Sequence, residues 1–134
     1  MSVFVESSDV LPLVDLEVAL PVGTLQDPAG REGLAQLTGH LMRRGPRGLS
    51  QERFEDRLAS LGARLSVQVS MRSTRIRATV LRRHLEPLLD LVADVVWQPA
   101  LRGSDFAKLK RQAEARRVVD EAIAELREKG MAPD

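Results

Sequence analysis

The chain has 134 residues, enough for one domain with a hydrophobic core and short for two. With 43% hydrophobic and 29% charged residues it has the proportions of a soluble globular protein, and its net charge of +1 supplies no overall attraction to nucleic acid. The absence of cysteine excludes disulfides and thiolate metal sites, and no apolar run is long enough to span a bilayer.

Met1-Ser2-Val3 leads into an apolar stretch broken by Glu6 and Asp9, without the basic start and long apolar centre of a signal peptide. A cytoplasmic location is therefore the default, and the compartment stays open. Val3-Phe4-Val5 reads as a short strand joined through Ser7-Ser8-Asp9 to a longer one, Leu13 to Leu20. In the second strand Val14, Leu16, Val18 and Leu20 alternate with Asp15 and Glu17, the period of a half-buried strand. Gly23 and Asp27-Pro28-Ala29-Gly30 then punctuate the chain, and a helix is expected from Gly33 to Arg44 with Leu34, Leu37 and Leu41 on its apolar side.

Ser50 is a good N-cap for a second helix carrying Phe54, Leu58 and Leu61, which Gly62 stops. Two alternating runs follow, Ala63-Leu65-Val67-Val69 and Thr74-Ile76-Ala78-Val80, separated by Ser70 to Ser73 as in an antiparallel hairpin. A third helix places Leu85, Leu88, Leu89, Val92 and Val96 on one stripe, tolerates Pro87 in its first turn and ends near Trp97-Gln98-Pro99. Ser104 is the expected cap of a last long helix running to about Lys129, with Glu125 and Lys129 as an i, i+4 ion pair. The tail 131–134 reads as disordered.

The element order ββααββαα predicts an α+β fold, an antiparallel sheet with helices packed on one face, in a single domain over residues 1–130. Aromatic residues are only 3%, so its core is built mainly from Leu, Val and Ala. The arginines at 43, 44, 47, 75, 77, 82 and 83 are expected on a solvated face or in ion pairs with Asp56, Asp90 or Asp94. They do not suggest a nucleic-acid surface, because sheet-based single-strand readers stack bases on exposed aromatics and the hairpin has none. The abundance of Arg over Lys is expected to reflect genome composition. His84 has no motif around it.

The motifs along this chain resemble the insulinase-like metallopeptidases, the family of pitrilysin and the mitochondrial processing peptidase. They are Leu11-Pro12-Leu13-Val14, Val22-Gly23, Asp27-Pro28, Gly30-Arg31-Glu32-Gly33-Leu34-Ala35, Gly45, Leu61-Gly62-Ala63 and Trp97-Gln98-Pro99-Ala100-Leu101. The resemblance implies the first part of a LuxS/mitochondrial-processing-peptidase-like metallohydrolase domain. A family domain is longer than this chain, which looks like the front part of one.

The resemblance also places the family's zinc motif, His-x-x-Glu-His, at Gln36-Leu37-Thr38-Gly39-His40. On a helix two histidines four residues apart project from one face, so the full motif holds zinc and its Glu activates the bound water. Here Gln36 stands for the first ligand and Gly39 for the catalytic Glu, while His40 matches the second ligand. Glu121, preceded seven positions earlier by Glu114, matches the family's third ligand and the Glu that accompanies it. A neutral amide is a poor zinc ligand, and loss of a general base costs about 10²- to 10⁴-fold in rate.

No catalytic residue is therefore expected at the degenerate positions Gln36, Gly39 and His40, and no metal or other cofactor at the ligand-like residues His40, Glu121 and Glu114. His40 is expected on a partly buried helix face, hydrogen-bonded to Glu121 or another polar group. Gly39 is expected to let its helix approach another element closely.

The first functional expectation is a non-catalytic homologue, a structural or peptide-holding subunit beside a catalytic insulinase-like relative. An extended or unfolded polypeptide would add as a strand at the sheet edge. The alternative is a metal-dependent endopeptidase with a reduced zinc site at His40, Glu121 and Glu114. A third possibility is an interaction module that self-associates through an exposed sheet edge.

Overall fold

A computed structural model describes residues 10–130, without the side chains at 109, 113 and 116. The expected Val3-Phe4-Val5 strand and the tail 131–134 lie outside the described residues. Strand β1 is Leu13–Leu20, helix α1 Leu34–Arg43, helix α2 Gln51–Ser60, strand β2 Arg64–Val69, strand β3 Thr74–Leu81, helix α3 Leu85–Trp97 and helix α4 Gly103–Glu128. Short 3₁₀ turns occupy Thr24–Gln26 and Arg82–His84. The chain divides into two units, Met1–Leu101 and Arg102–Asp134.

In the first unit the sheet order is β1-β3-β2, all antiparallel. Leu13 pairs with Leu81 and Leu20 with Thr74, while Arg64 pairs with Thr79 and Val69 with Thr74. This register places residues of one parity on one face. Val14, Leu16, Val18 and Leu20 of β1, Leu65 and Val67 of β2, and Ile76, Ala78 and Val80 of β3 all join the core. Met42 of α1, Phe54 and Leu58 of α2, and Leu88, Leu91, Val92 and Val95 of α3 pack against them. The fold is α+β, with an antiparallel sheet and helices on one face.

The opposite face of the sheet is polar. Glu17 on β1 lies 2.6 Å from Arg77 and 3.8 Å from Arg75, and Thr79 donates to Asp15. Arg43 pairs instead with Glu55 at 2.6 Å. Most of these arginines thus lie on a solvated face, as expected, and the acidic groups that Arg43, Arg75 and Arg77 meet are Glu55 and Glu17 in place of Asp56, Asp90 and Asp94. Strand registry explains the Glu17 pairing, because Glu17 stands directly opposite Arg77.

The helices depart from expectation mainly in rotation. In α1, Leu34 is exposed while Gly39, Leu41 and Met42 are buried. In α3 the buried stripe is Leu88-Leu91-Val92-Val95, and Leu89 is exposed. Ser50 caps α2 as expected, its hydroxyl accepting from the Arg53 N–H at 3.2 Å. In the second unit α4 starts at Gly103, one residue before the expected cap Ser104, and Arg102 stands at the N-cap. An acid in the first turn complements the helix N-terminus, and Asp105 there also lies 3.4 Å from Arg102. The expected Glu125–Lys129 pair forms at 2.8 Å.

Candidate functional site

Helix α1 carries the motif positions, and the segment before it fixes its start. One carboxylate oxygen of Asp27 accepts the Gly33 N–H at 2.8 Å and the other accepts the Ala35 N–H at 2.9 Å. Two of the N–H groups that a helix start leaves without intrahelical partners are thereby satisfied, by a negative charge at the positive end of the helix dipole. The Glu32 carboxyl is held below its ordinary pKa by hydrogen bonds from its own backbone N–H and from that of Gly30, the latter at 3.0 Å.

The turn before this segment is bound to the tip of the β2–β3 hairpin. Thr24 N–H donates to the Ser70 carbonyl at 3.0 Å and Leu25 N–H to the Met71 carbonyl at 2.9 Å. A side chain at Gly23 would put its Cβ 2.3 Å from that Ser70 carbonyl oxygen, so only glycine allows this approach. The signposts Val22-Gly23 and Asp27-Pro28 therefore have a physical role, which is to anchor the hairpin tip and to start α1.

Among the motif residues, Gly39 is buried and faces β2. A Cβ at position 39 would lie 2.5 Å from Val69 Cγ2 and 3.5 Å from Val67 Cγ1. The expected close approach of α1 is thus against β2. Gln36 is exposed, and its amide nitrogen donates to the Val69 carbonyl at 3.2 Å. His40 is also exposed, contrary to the partly buried imidazole expected from the sequence, and it makes no hydrogen bond among the described residues of its own unit.

In the second unit Glu114 and Glu121 are exposed on α4, and Glu121 lies 3.5 Å from Arg117. Seven residues of helix separate the two carboxylates by about 10 Å, too far to share one ion. Within each unit, no three His, Asp or Glu side chains among the described residues are grouped as a metal site.

The zinc centre implied by the family motif does not fit this arrangement. The first ligand position holds an amide whose nitrogen is engaged with a backbone carbonyl, and the general-base position holds no side chain and has no room for one. On the flank of α1 lies an open hollow of about 310 Å³, lined largely by apolar groups including Leu20, Val22, Leu34 and Met42. That is the low end of ligand-pocket volumes, and its polar lining is engaged elsewhere: Asp27 accepts from the start of α1, Thr38 donates to the Leu34 carbonyl and Thr74 donates to the Val22 carbonyl. No helix among the described residues is long and apolar enough to cross a membrane.

Residues 2–132 match the family model described as Insulinase (Peptidase family M16). No curated protein matches the chain. Among solved structures, the chain is similar to a peptidase M16 inactive domain from Pseudomonas fluorescens, with a TM-score of 0.71 and 27% identity over 77% of this chain and 25% of that one. It is similar in fold to a protease from Helicobacter pylori, with a TM-score of 0.71 and 22% identity over 79% of this chain and 26% of that one. The chain spans about a quarter of the length of each of these relatives.

Proposed function

We propose, from the premise that this chain belongs to the insulinase family, peptidase family M16, that it is a non-catalytic member acting as a structural or peptide-holding subunit beside a catalytic relative. The observation that carries this reading is the close packing of Gly39 against Val69, at the place where an active member holds its general base. The position sits in a well-built local fold, with the Asp27 cap, the hairpin anchor and the core sheet around it. The likeness to a solved M16 inactive domain supports the same reading. Residues 1–130 are taken as part of one insulinase-like domain, both units included.

In this role the chain contributes surface rather than chemistry. Among the described residues, strands β1 and β2 each pair with another strand on one side only, so the other side of each offers backbone N–H and C=O groups to an extended polypeptide. The open apolar hollow beside α1 gives a side chain of such a polypeptide a place to be buried. A catalytic subunit with an intact His-x-x-Glu-His would then cut what both subunits hold.

The test is co-expression with an insulinase-family relative that keeps the full zinc motif. The expected result is a stable complex that degrades an unfolded polypeptide with a lower KM than the relative alone, while this chain by itself cuts nothing. Failure to associate with any such relative removes the partner role. Cleavage by this chain alone that is lost in His40→Ala would instead establish the metal-dependent alternative.

A further inference from the structure

We propose that Gln36 and Gly39, the two positions at which the zinc motif is lost, now act together as the seat of α1 on β2, and that Val69 bars a side chain from position 39. This deepens the non-catalytic reading and rests on it, by giving the missing acid a structural cause that a simple reversion does not undo.

Both residues engage Val69. Gln36 holds its carbonyl through the amide at 3.2 Å, and Gly39 leaves room for its γ-methyl, which a Cβ at 39 would approach to 2.5 Å. Neither side of that contact yields readily. Valine is branched at Cβ and restricted at χ1, so its methyl does not swing aside as the end of a long side chain would. The strand end cannot step back either, because the next two carbonyls, Ser70 and Met71, are bonded to Thr24 and Leu25. Val67 Cγ1, 3.5 Å from the same Cβ position, closes the space further along the strand.

The two lost positions therefore differ. Position 36 is exposed, and an imidazole there retains a ring N–H to offer the Val69 carbonyl, the partner that metal-ligating histidines commonly use. A ligand is thus recoverable at 36 without disturbing the helix. Any residue larger than glycine at 39 lifts α1 from β2.

A double-mutant cycle on the full chain tests this by thermal unfolding. Alanine is the better helix former, so Gly39→Ala would stabilise an unobstructed helix. The expected result in the parent is instead a midpoint lowered by about 5 °C, with the loss abolished or reversed when Val69→Ala is also present. Gln36→His is expected within about 2 °C of the parent. A Gly39→Ala shift that differs by less than about 2 °C between the parent and the Val69→Ala background overturns the proposal. Both alanine variants are mild enough to be measured even if Gly39→Glu does not fold. The cycle reads stability alone, so its failure leaves the proposed partnership standing, and failure of co-purification leaves the Val69 contact standing.

Discussion

At the scale of single residues, Asp27 ties the loop before α1 to the start of the helix. It lies six residues before Gly33 and uses both carboxylate oxygens on the start of α1. Asp27→Ala removes two hydrogen bonds and a charge at the helix N-terminus, and is expected to cost about 1–2 kcal/mol in urea unfolding. An unchanged midpoint would mean that water replaces the carboxylate fully. Glu32 adds a pH dependence nearby. Its folded pKa is depressed, so its contribution is present above the ordinary carboxylate range and is lost as pH falls through the folded value. The protection of the Gly30 amide against exchange, taken relative to the intrinsic rate at each pH, is expected to fall on acidification in the parent and to lose that response in Glu32→Gln. The sequence marked Asp27-Pro28 and Gly30 to Ala35 as punctuation and family signposts, without their contacts. A cap reaching across six residues has no local pattern, and only the folded turn brings the carboxylate to the helix.

At the scale of elements, the strands were more legible than the helices. A period of two admits only two faces, so Val14, Leu16, Val18 and Leu20 had to lie together, as did Ile76, Ala78 and Val80. A helix stripe can rotate. Apolar residues occupy so much of the circumference of α3 that packing alone chose Leu91 and Val95 over Leu89. In α1 the contact with β2 centres on Gly39, which gives no hydrophobic signal at all. The two faces of β3 predict opposite responses to mutation. Ile76 is only 1% exposed, and Ile76→Ala is expected to cost about 2–5 kcal/mol through lost burial and an unfilled cavity. Its neighbour Arg77 meets Glu17 on the exposed face, and Glu17→Ala is expected to cost less than about 1 kcal/mol, with that small effect fading in high salt. Equal losses from the two substitutions would mean that the polar face is covered in solution.

At the scale of the whole molecule, the family fold and the family chemistry come apart, and zinc linkage measures by how much. A ligand that binds only the folded state stabilises it by RT ln(1 + [L]/Kd), about 2.7 kcal/mol at a hundredfold excess over Kd, which displaces the unfolding midpoint by several degrees. An intact motif would give such a displacement at micromolar zinc. Here Gln36 is tied to Val69, Gly39 has no side chain, His40 is exposed, and the Glu121 carboxylate sits beside Arg117. Zinc at about 100 μM is therefore expected to move the midpoint by less than about 1 °C, and His40→Ala to leave both the midpoint and this indifference unchanged. The same titration on a relative with the complete motif should show the full rise and lose it on addition of a chelator. A rise of several degrees in this chain that disappears in His40→Ala would restore the reduced zinc site, because no structural role of an exposed imidazole without a bond in its unit produces that dependence.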